Sequence, residues 1–156
     1  MTITYEVTSR TLAREFTAVV RGEMPPDELG AWLAGVFKTV YDYLLDLGVE
    51  PVGAPFARYT FLADTVAVEA GVRVPDEIPG DGLVEPSALP GGPAAVTIHM
   101  GNYAYLDKAY GAVHGWLDAH GYVPAGPHWE VYVTDPTAEP DPARWRTDIV
   151  VPYRTG

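Results

Sequence analysis

The sequence predicts an α+β domain in which an antiparallel sheet carries two helices and one structural unit occurs twice. The chain has 156 residues, which suits one domain of ordinary size. Hydrophobic residues make up 47% of it, too large a share for a disordered chain. Two segments have the apolar spacing of amphipathic helices, and each is followed by β-branched runs typical of strands.

The first half has the pattern strand, helix, strand, strand. Pro25 and Pro26, followed by acidic residues, favour a helix start, because proline suits the first turn and negative charge suits the positive end of the helix dipole. Gly48 marks the helix end. The predicted elements are a strand at 15–20, a helix at 29–47 and a hairpin at 56–62 and 65–74.

The second half repeats this order after a segment rich in proline, glycine and acidic residues, 75–93, which we interpret as a surface connector. A second glycine, Gly121, closes the second helix. The predicted elements are a strand at 94–99, a helix at 106–120 and strands at 129–134 and 147–151.

An offset of 73 residues aligns the two halves without gaps from helix to strand (113 − 40 = 73). The aligned pairs are Val40/Val113, Leu44/Leu117, Gly48/Gly121, Pro51/Pro124, Gly53/Gly126, Phe56/Trp129 and Tyr59/Tyr132. The alternative is that any two helix-turn-strand units share such glycines and prolines. Duplication explains the pattern better and predicts a pseudo-twofold domain over 1–156, with both helices on one face, copies at about 1–74 and 94–156, and the connector between them.

The charge and the composition of the chain limit the classes of molecule that it could bind. The 21 acidic and 10 basic residues give a formal net charge of −11, which repels nucleic acid. The absence of cysteine excludes disulfides and thiolate metal sites. No basic leader and no long apolar run is present. We therefore expect a cytoplasmic protein that contacts neither a membrane nor nucleic acid directly.

The most informative difference between the halves is Glu130, which aligns with Ala57. On a strand, Glu130 and Tyr132 share one face, and Tyr59 from the first copy is a further candidate beside them. A carboxylate among tyrosine rings suits an organic cation. The alternative is a strand glutamate that faces water.

Other chemistry has little support in the sequence. The four histidines show no helix-compatible ligand pair, neither serine lies in a nucleophile-elbow pattern, and Gly91-Gly92 precedes a strand rather than a helix. We therefore expect no metal and no cofactor.

Four segments of the chain, 53–59, 100–106, 126–136 and 145–152, carry a resemblance to a known family. Its most specific part is the glutamate-x-tyrosine strand followed by Asp135-Pro136, together with the last strand. In order and spacing these segments resemble the signatures of GyrI-like domains, the small-molecule-binding domains of AraC-type and multidrug-sensing regulators.

The resemblance implies two strand-helix-strand-strand copies that enclose a ligand cleft. In multidrug-sensing members a cleft glutamate neutralises lipophilic cations, and that role corresponds here to Glu130. Aromatic rings would sandwich a planar aromatic or lipophilic cation. By position the ring candidates are Tyr59, Tyr103, Tyr105 and Tyr132, with Trp145 near a cleft end.

The regulators of this family carry a helix-turn-helix domain before the ligand domain, whereas the first strand is expected here near Ile3. We therefore expect a stand-alone binding domain. Two alternatives stay open. Some stand-alone relatives resemble hydrolases that open cyclopropane rings of DNA-alkylating natural products, and Glu130 with Tyr103 or Tyr132 could supply the base and the phenol. A third interpretation is a protein that inhibits a partner enzyme, as one family member does with a topoisomerase.

Overall fold

A computed structural model describes residues 4–156, so Ile3, where the first strand is expected to begin, lies outside the described range. The chain divides into two compact units. We call residues 13–91 the N unit, and residues 4–12 together with 92–156 the C unit. Within the described part of the chain, no helix is both long and apolar enough to cross a membrane.

The two units contain the following helices and strands. In chain order these are β1 (Thr8–Leu12), β2 (Glu15–Met24), α1 (Leu29–Leu47), β3 (Val52–Phe61), β4 (Val66–Arg73), β5 (Glu85–Leu89), β6 (Gly92–Met100), α2 (Leu106–His120), β7 (Tyr122–Pro124), β8 (His128–Tyr132) and β9 (Arg146–Thr155). Short 3-10 turns occur at Pro26–Glu28, Tyr103–Tyr105 and Pro142–Arg144.

In the N unit the strands are ordered β3-β4-β2-β5, and every neighbouring pair is antiparallel. Helix α1 packs on β2 and β4 through Val36, Val40 and Leu44, which are spaced four residues apart on one helix face. Gly48 ends the helix in the left-handed conformation, with φ of 76°, which glycine adopts without steric cost. The predicted helix and hairpin are confirmed.

In the C unit the strands are ordered β1-β6-β9-β8, again antiparallel, and the short β7 pairs with β9. Helix α2 buries Ala109, Val113 and Leu117 and ends at Gly121, whose φ is 70°. These three side chains form one core cluster with residues of the sheet. The sheet members of the cluster are Ala95, Ile149, Val151 and Tyr153.

The two units share one topology. Strands β3, β4, β2 and β5 of the N unit correspond in order to β8, β9, β6 and β1 of the C unit. The buried residues of α2 follow those of α1 at the offset seen in the sequence (109 − 36 = 113 − 40 = 117 − 44 = 73). The α+β class and the repeated strand-helix-strand-strand unit are therefore confirmed.

Two strands, β5 and β7, are not predicted by the sequence, and β1 begins at Thr8, later than the expected start near Ile3. Strand β5 lies inside the segment interpreted as a connector, pairs with β2 and is accompanied by buried Ile78, Val84 and Leu89. Its second residue, Pro86, breaks the usual strand pattern, although a strand that pairs on one side tolerates proline. These short strands form because a longer neighbour is available for pairing, which a local sequence pattern does not record.

Candidate functional site

Glu130 lies in the C unit on strand β8, directly opposite Ile149 of β9, which in turn lies opposite Thr97 of β6. Side chains of directly paired residues in an antiparallel sheet share one face. Because Ile149 packs in the core cluster with helix α2, this is the face that α2 covers. The side chain of Glu130 is consequently buried, with 9% of the residue exposed.

Two phenols satisfy the carboxyl group of Glu130. The hydroxyl of Tyr132, two residues further along β8, donates to Oε1 at 2.8 Å. The hydroxyl of Tyr110, on α2, donates to Oε2. Both oxygens therefore accept a hydrogen bond from a side chain, which offsets the cost of removing the carboxyl group from water.

Burial raises the pKa of Glu130 above its ordinary value, while the hydrogen bonds from Tyr110 and Tyr132 and the proximity of His99 oppose that shift. Desolvation is the larger effect, so the negative charge is less stable here than on a surface glutamate. A carboxylate in this state gains more than a surface carboxylate from a nearby positive charge.

A second row of side chains follows on the same face, formed by His99, Thr147 and Tyr132. His99 is 1% exposed and its Nε2 lies 3.0 Å from the carbonyl oxygen of Asn102, which can only accept, so Nε2 carries a proton. Its Nδ1 lies 2.8 Å from the hydroxyl of Tyr5. Thr147 is 0% exposed, and its Oγ1 has no hydrogen-bond partner within the described part of the chain.

Aromatic rings continue beyond this row, at the end of the sheet where β8 stops and β9 begins. Tyr103 meets Tyr132 edge to face, with ring centroids 6.0 Å apart, and stacks on Trp145 at 5.1 Å. The Trp145 Nε1–H donates to the carbonyl oxygen of Glu139 at 2.8 Å, which fixes the indole. Burial, followed by the negative charges of Asp135 and Glu130, raises the pKa of the Tyr103 phenol.

The Tyr110 ring also contacts the imidazole ring of His128. The two rings meet edge to face with centroids 4.9 Å apart. Burial, with a smaller effect from His114, lowers the pKa of His128 to about 4, so this imidazole is neutral at pH 7. It therefore contributes packing near Glu130 and no compensating positive charge.

The predicted site residues fall into two groups. Glu130, Tyr132, Tyr103 and Trp145 lie together in the C unit, in the arrangement described above. The other two are Tyr105, 53% exposed with the Lys108 ammonium 5.6 Å from its ring, and Tyr59, buried on β3 of the N unit and stacked on Phe61.

Sequence reasoning missed Tyr110, His99 and Thr147 as members of this site. Tyr110 has the helix spacing of a core residue. The available signal was chemical, because a tyrosine on a buried helix face needs a partner for its hydroxyl. Glu130 was the candidate acceptor.

The N unit shows what the same topology looks like without polar groups. The counterpart of each residue in the other unit is found from the 73-residue helix offset and from the strand pairings. Each polar residue of the C-unit face, except one tyrosine, has an apolar residue or glycine as its counterpart. The pairs, C unit first, are Glu130/Ala57, Tyr110/Phe37, Thr97/Val20, His99/Gly22, Thr147/Val68 and Tyr132/Tyr59. The fold itself therefore does not require these polar groups.

Among the residues that the structure describes, no group of three or more histidine, aspartate and glutamate side chains is arranged to hold a metal ion. The chemistry available on this face is that of one buried carboxyl group, several phenols and an indole.

The family model of the GyrI-like small molecule binding domain matches residues 18–154, and the chain belongs to this family. Among curated protein sequences none matches the chain.

Several solved structures share the fold. The crystal structure of the EcmrR C-terminal domain has a TM-score of 0.86 at 19% identity, covering 99% of this chain and 100% of that domain. A hydrolase from Listeria innocua has a TM-score of 0.73 at 13% identity, covering 96% of this chain and 92% of its own. SAV2435 bound to tetraphenylphosphonium has a TM-score of 0.59 at 12% identity, covering 96% and 94%. At these identities the likeness concerns the fold alone.

Proposed function

We propose that this GyrI-like domain binds amphipathic aromatic cations, with Glu130 as the counter-charge and tyrosine rings as the stacking surface. The observation that carries the proposal is the environment of Glu130. It is a buried carboxyl group whose only direct polar partners in residues 4–156 are two phenols, and no lysine or arginine in that range forms an ion pair with it.

The rings next to Glu130 provide the second element of such a site. Tyr132, Tyr103 and Trp145 form a continuous edge-to-face and stacked series that begins at the carboxyl group. The faces of aromatic rings attract cations, and a partly desolvated carboxylate adds to that attraction. Tyr105 enters the proposal only through the family resemblance, and Tyr59 through that resemblance and its position in the first copy.

Two further points support this ligand class. The N unit replaces the carboxyl group by Ala57 and the helix phenol by Phe37, so the polar version is specific to one copy. SAV2435, which shares the fold, is bound to tetraphenylphosphonium, a lipophilic cation. A cytoplasmic location, predicted from the sequence, belongs to the same proposal.

The test compares a cation with its uncharged isostere. N-methylquinolinium and 1-methylnaphthalene have nearly the same shape, and their fluorescence reports binding directly. Glu130→Gln should weaken binding of the cation by about 1–3 kcal/mol and change the affinity for the neutral compound by much less. Equal losses for both would mean that Glu130 only shapes the pocket, and the proposal would be wrong.

A second candidate function is hydrolysis of an electrophilic ring compound, for which Tyr103 or Tyr132 was the predicted partner of Glu130. One observation favours it. Burial makes the Glu130 carboxylate more basic, and phenols lie within hydrogen-bond distance of both its oxygens. A base and a hydrogen-bond donor would then act on the same substrate.

A further inference from the structure

Thr147 presents a hydroxyl group that the protein does not use. Its Oγ1 is fully buried and has no hydrogen-bond partner among residues 4–156. The residue lies on β9 directly opposite both His99 and Tyr132, on the sheet face that carries Glu130. A buried hydroxyl without a partner destabilises the folded protein, so its presence calls for a physical explanation.

The fold does not explain the hydroxyl. The structurally equivalent position in the N unit is Val68, which is nearly isosteric with threonine and is buried in the same strand pairing. Valine therefore satisfies this position in the shared topology. A threonine here costs stability that a valine would not.

The two residues beside Thr147 on this sheet face, His99 and Tyr132, already have hydrogen-bond partners. The two ring nitrogens of His99 lie within hydrogen-bond distance of Tyr5 and of the Asn102 carbonyl. The hydroxyl proton of Tyr132 is donated to Glu130. Among the described residues of this row, Thr147 thus has the one side-chain polar group that remains available to a molecule from outside the chain.

We infer that Thr147 Oγ1 is a second polar anchor of the ligand site, which hydrogen-bonds a hydroxyl, carbonyl or amide group of an aromatic cation held at Glu130. The inference rests on the proposed function and narrows its ligand class. Glu130 and Thr147 are diagonal neighbours on adjacent strands, and such neighbours lie roughly 7–8 Å apart. The polar group of the ligand should therefore lie at a similar distance from its charge. Because Thr147 is fully buried, the ligand reaches it only after a neighbouring side chain has moved.

The experiment uses N-methylquinolinium cations that carry either a hydroxymethyl or an isosteric ethyl group at each ring carbon in turn. For the wild-type protein, at least one hydroxymethyl isomer should bind roughly 5–10-fold more tightly than its ethyl counterpart. Thr147→Val should abolish that preference, and Thr147→Ser should retain it.

The matched control is Thr17→Val. Thr17 is a second threonine that is 1% exposed, it lies on β2 of the N unit, and its Oγ1 has no partner among the residues that the structure describes. Both valine variants should raise the melting temperature, because each removes an unsatisfied buried hydroxyl. Only the variant at Thr147 should change the hydroxymethyl preference.

The possible results separate two kinds of failure. If no hydroxymethyl isomer is preferred by the wild type, if the preference survives in Thr147→Val, or if that variant weakens both compounds equally, the inference about Thr147 is wrong. If Glu130→Gln leaves the affinity for every quinolinium cation unchanged, the proposed function itself fails, whatever the result at Thr147.

Discussion

Tyr110, on helix α2, donates its hydroxyl proton to Oε2 of Glu130, on strand β8, so the helix and the sheet of the C unit together hold the carboxyl group in place. In the N unit the corresponding helix position is Phe37 and the strand position is Ala57. The phenol and the carboxyl group thus occur together in one copy and are both missing from the other, which indicates that they act as a pair.

Replacing Tyr110 by phenylalanine tests that pair, since Phe37 shows that a phenyl ring suits this helix position. The variant should fold normally, but Glu130 loses a donor that stabilises its charged form. We expect its pKa to rise further and the affinity for N-methylquinolinium at pH 7 to fall. Carbon NMR of the labelled carboxyl group measures the pKa. Tyr105→Phe, at an exposed tyrosine, is the control, and an unchanged pKa in Tyr110→Phe would contradict the assigned hydrogen bond.

Glu130 should also make stability depend on pH in a defined direction. Its pKa is raised in the folded state above 4.5, so the folded protein holds the proton that the unfolded chain releases. The free energy of unfolding should therefore fall as pH rises from about 4.5 through the raised pKa, and Glu130→Gln should lack this component. Urea unfolding of both proteins from pH 4.5 to 8 measures it. The variant should gain stability relative to the wild type as pH increases, and a constant difference would refute the prediction.

His128 should produce the opposite dependence. Its pKa is lowered to about 4 from 6.5, so the unfolded chain binds a proton that the folded protein excludes. The contribution of His128 to the free energy of unfolding is therefore present above pH 6.5 and is lost as pH falls towards 4. After allowance for the partial exposure of the ring, the loss is roughly 1–2 kcal/mol. His128→Phe keeps a ring against Tyr110 and should remove this loss. His120→Phe, at an exposed histidine, is the control and should still lose this stability at low pH. Urea unfolding at pH 7 and pH 5 measures the loss in each protein.

The sequence predicted the parts of the fold that depend on the conformational preferences of neighbouring residues in the chain. Both helices end at the glycines expected, because a left-handed residue after a helix strongly favours glycine. Strands β5 and β7 were not predicted, because their stability comes from pairing with β2 and β9 rather than from their own residues.

The site was predicted in part for a similar reason. Glu130 stood out because its counterpart is alanine, and Tyr132 because it shares a strand face with Glu130. Tyr103 came from the family resemblance, and Trp145 from its position near a cleft end. Tyr110 and Thr147 have the spacing of core positions, and only three-dimensional contacts distinguish a core tyrosine from a partner of a carboxyl group. Hydrophobic periodicity reports burial, whereas hydrogen-bond partners depend on which elements meet.

The final prediction decides between binding and hydrolysis, using a neutral aromatic substrate with a cyclopropane conjugated to a carbonyl group. In the hydrolytic scheme Glu130 takes a proton from water, and the water oxygen bonds to a ring carbon. The cleaved carbon–carbon bond passes its electrons to the carbonyl oxygen, which is then protonated. Glu130→Gln would abolish this turnover and leave substrate binding nearly intact, because a neutral substrate gains little from the charge. We expect a binding domain, so wild type and variant should both leave the substrate unchanged above the buffer rate in a chromatographic assay. Wild-type turnover that disappears in the glutamine variant would establish the hydrolase instead.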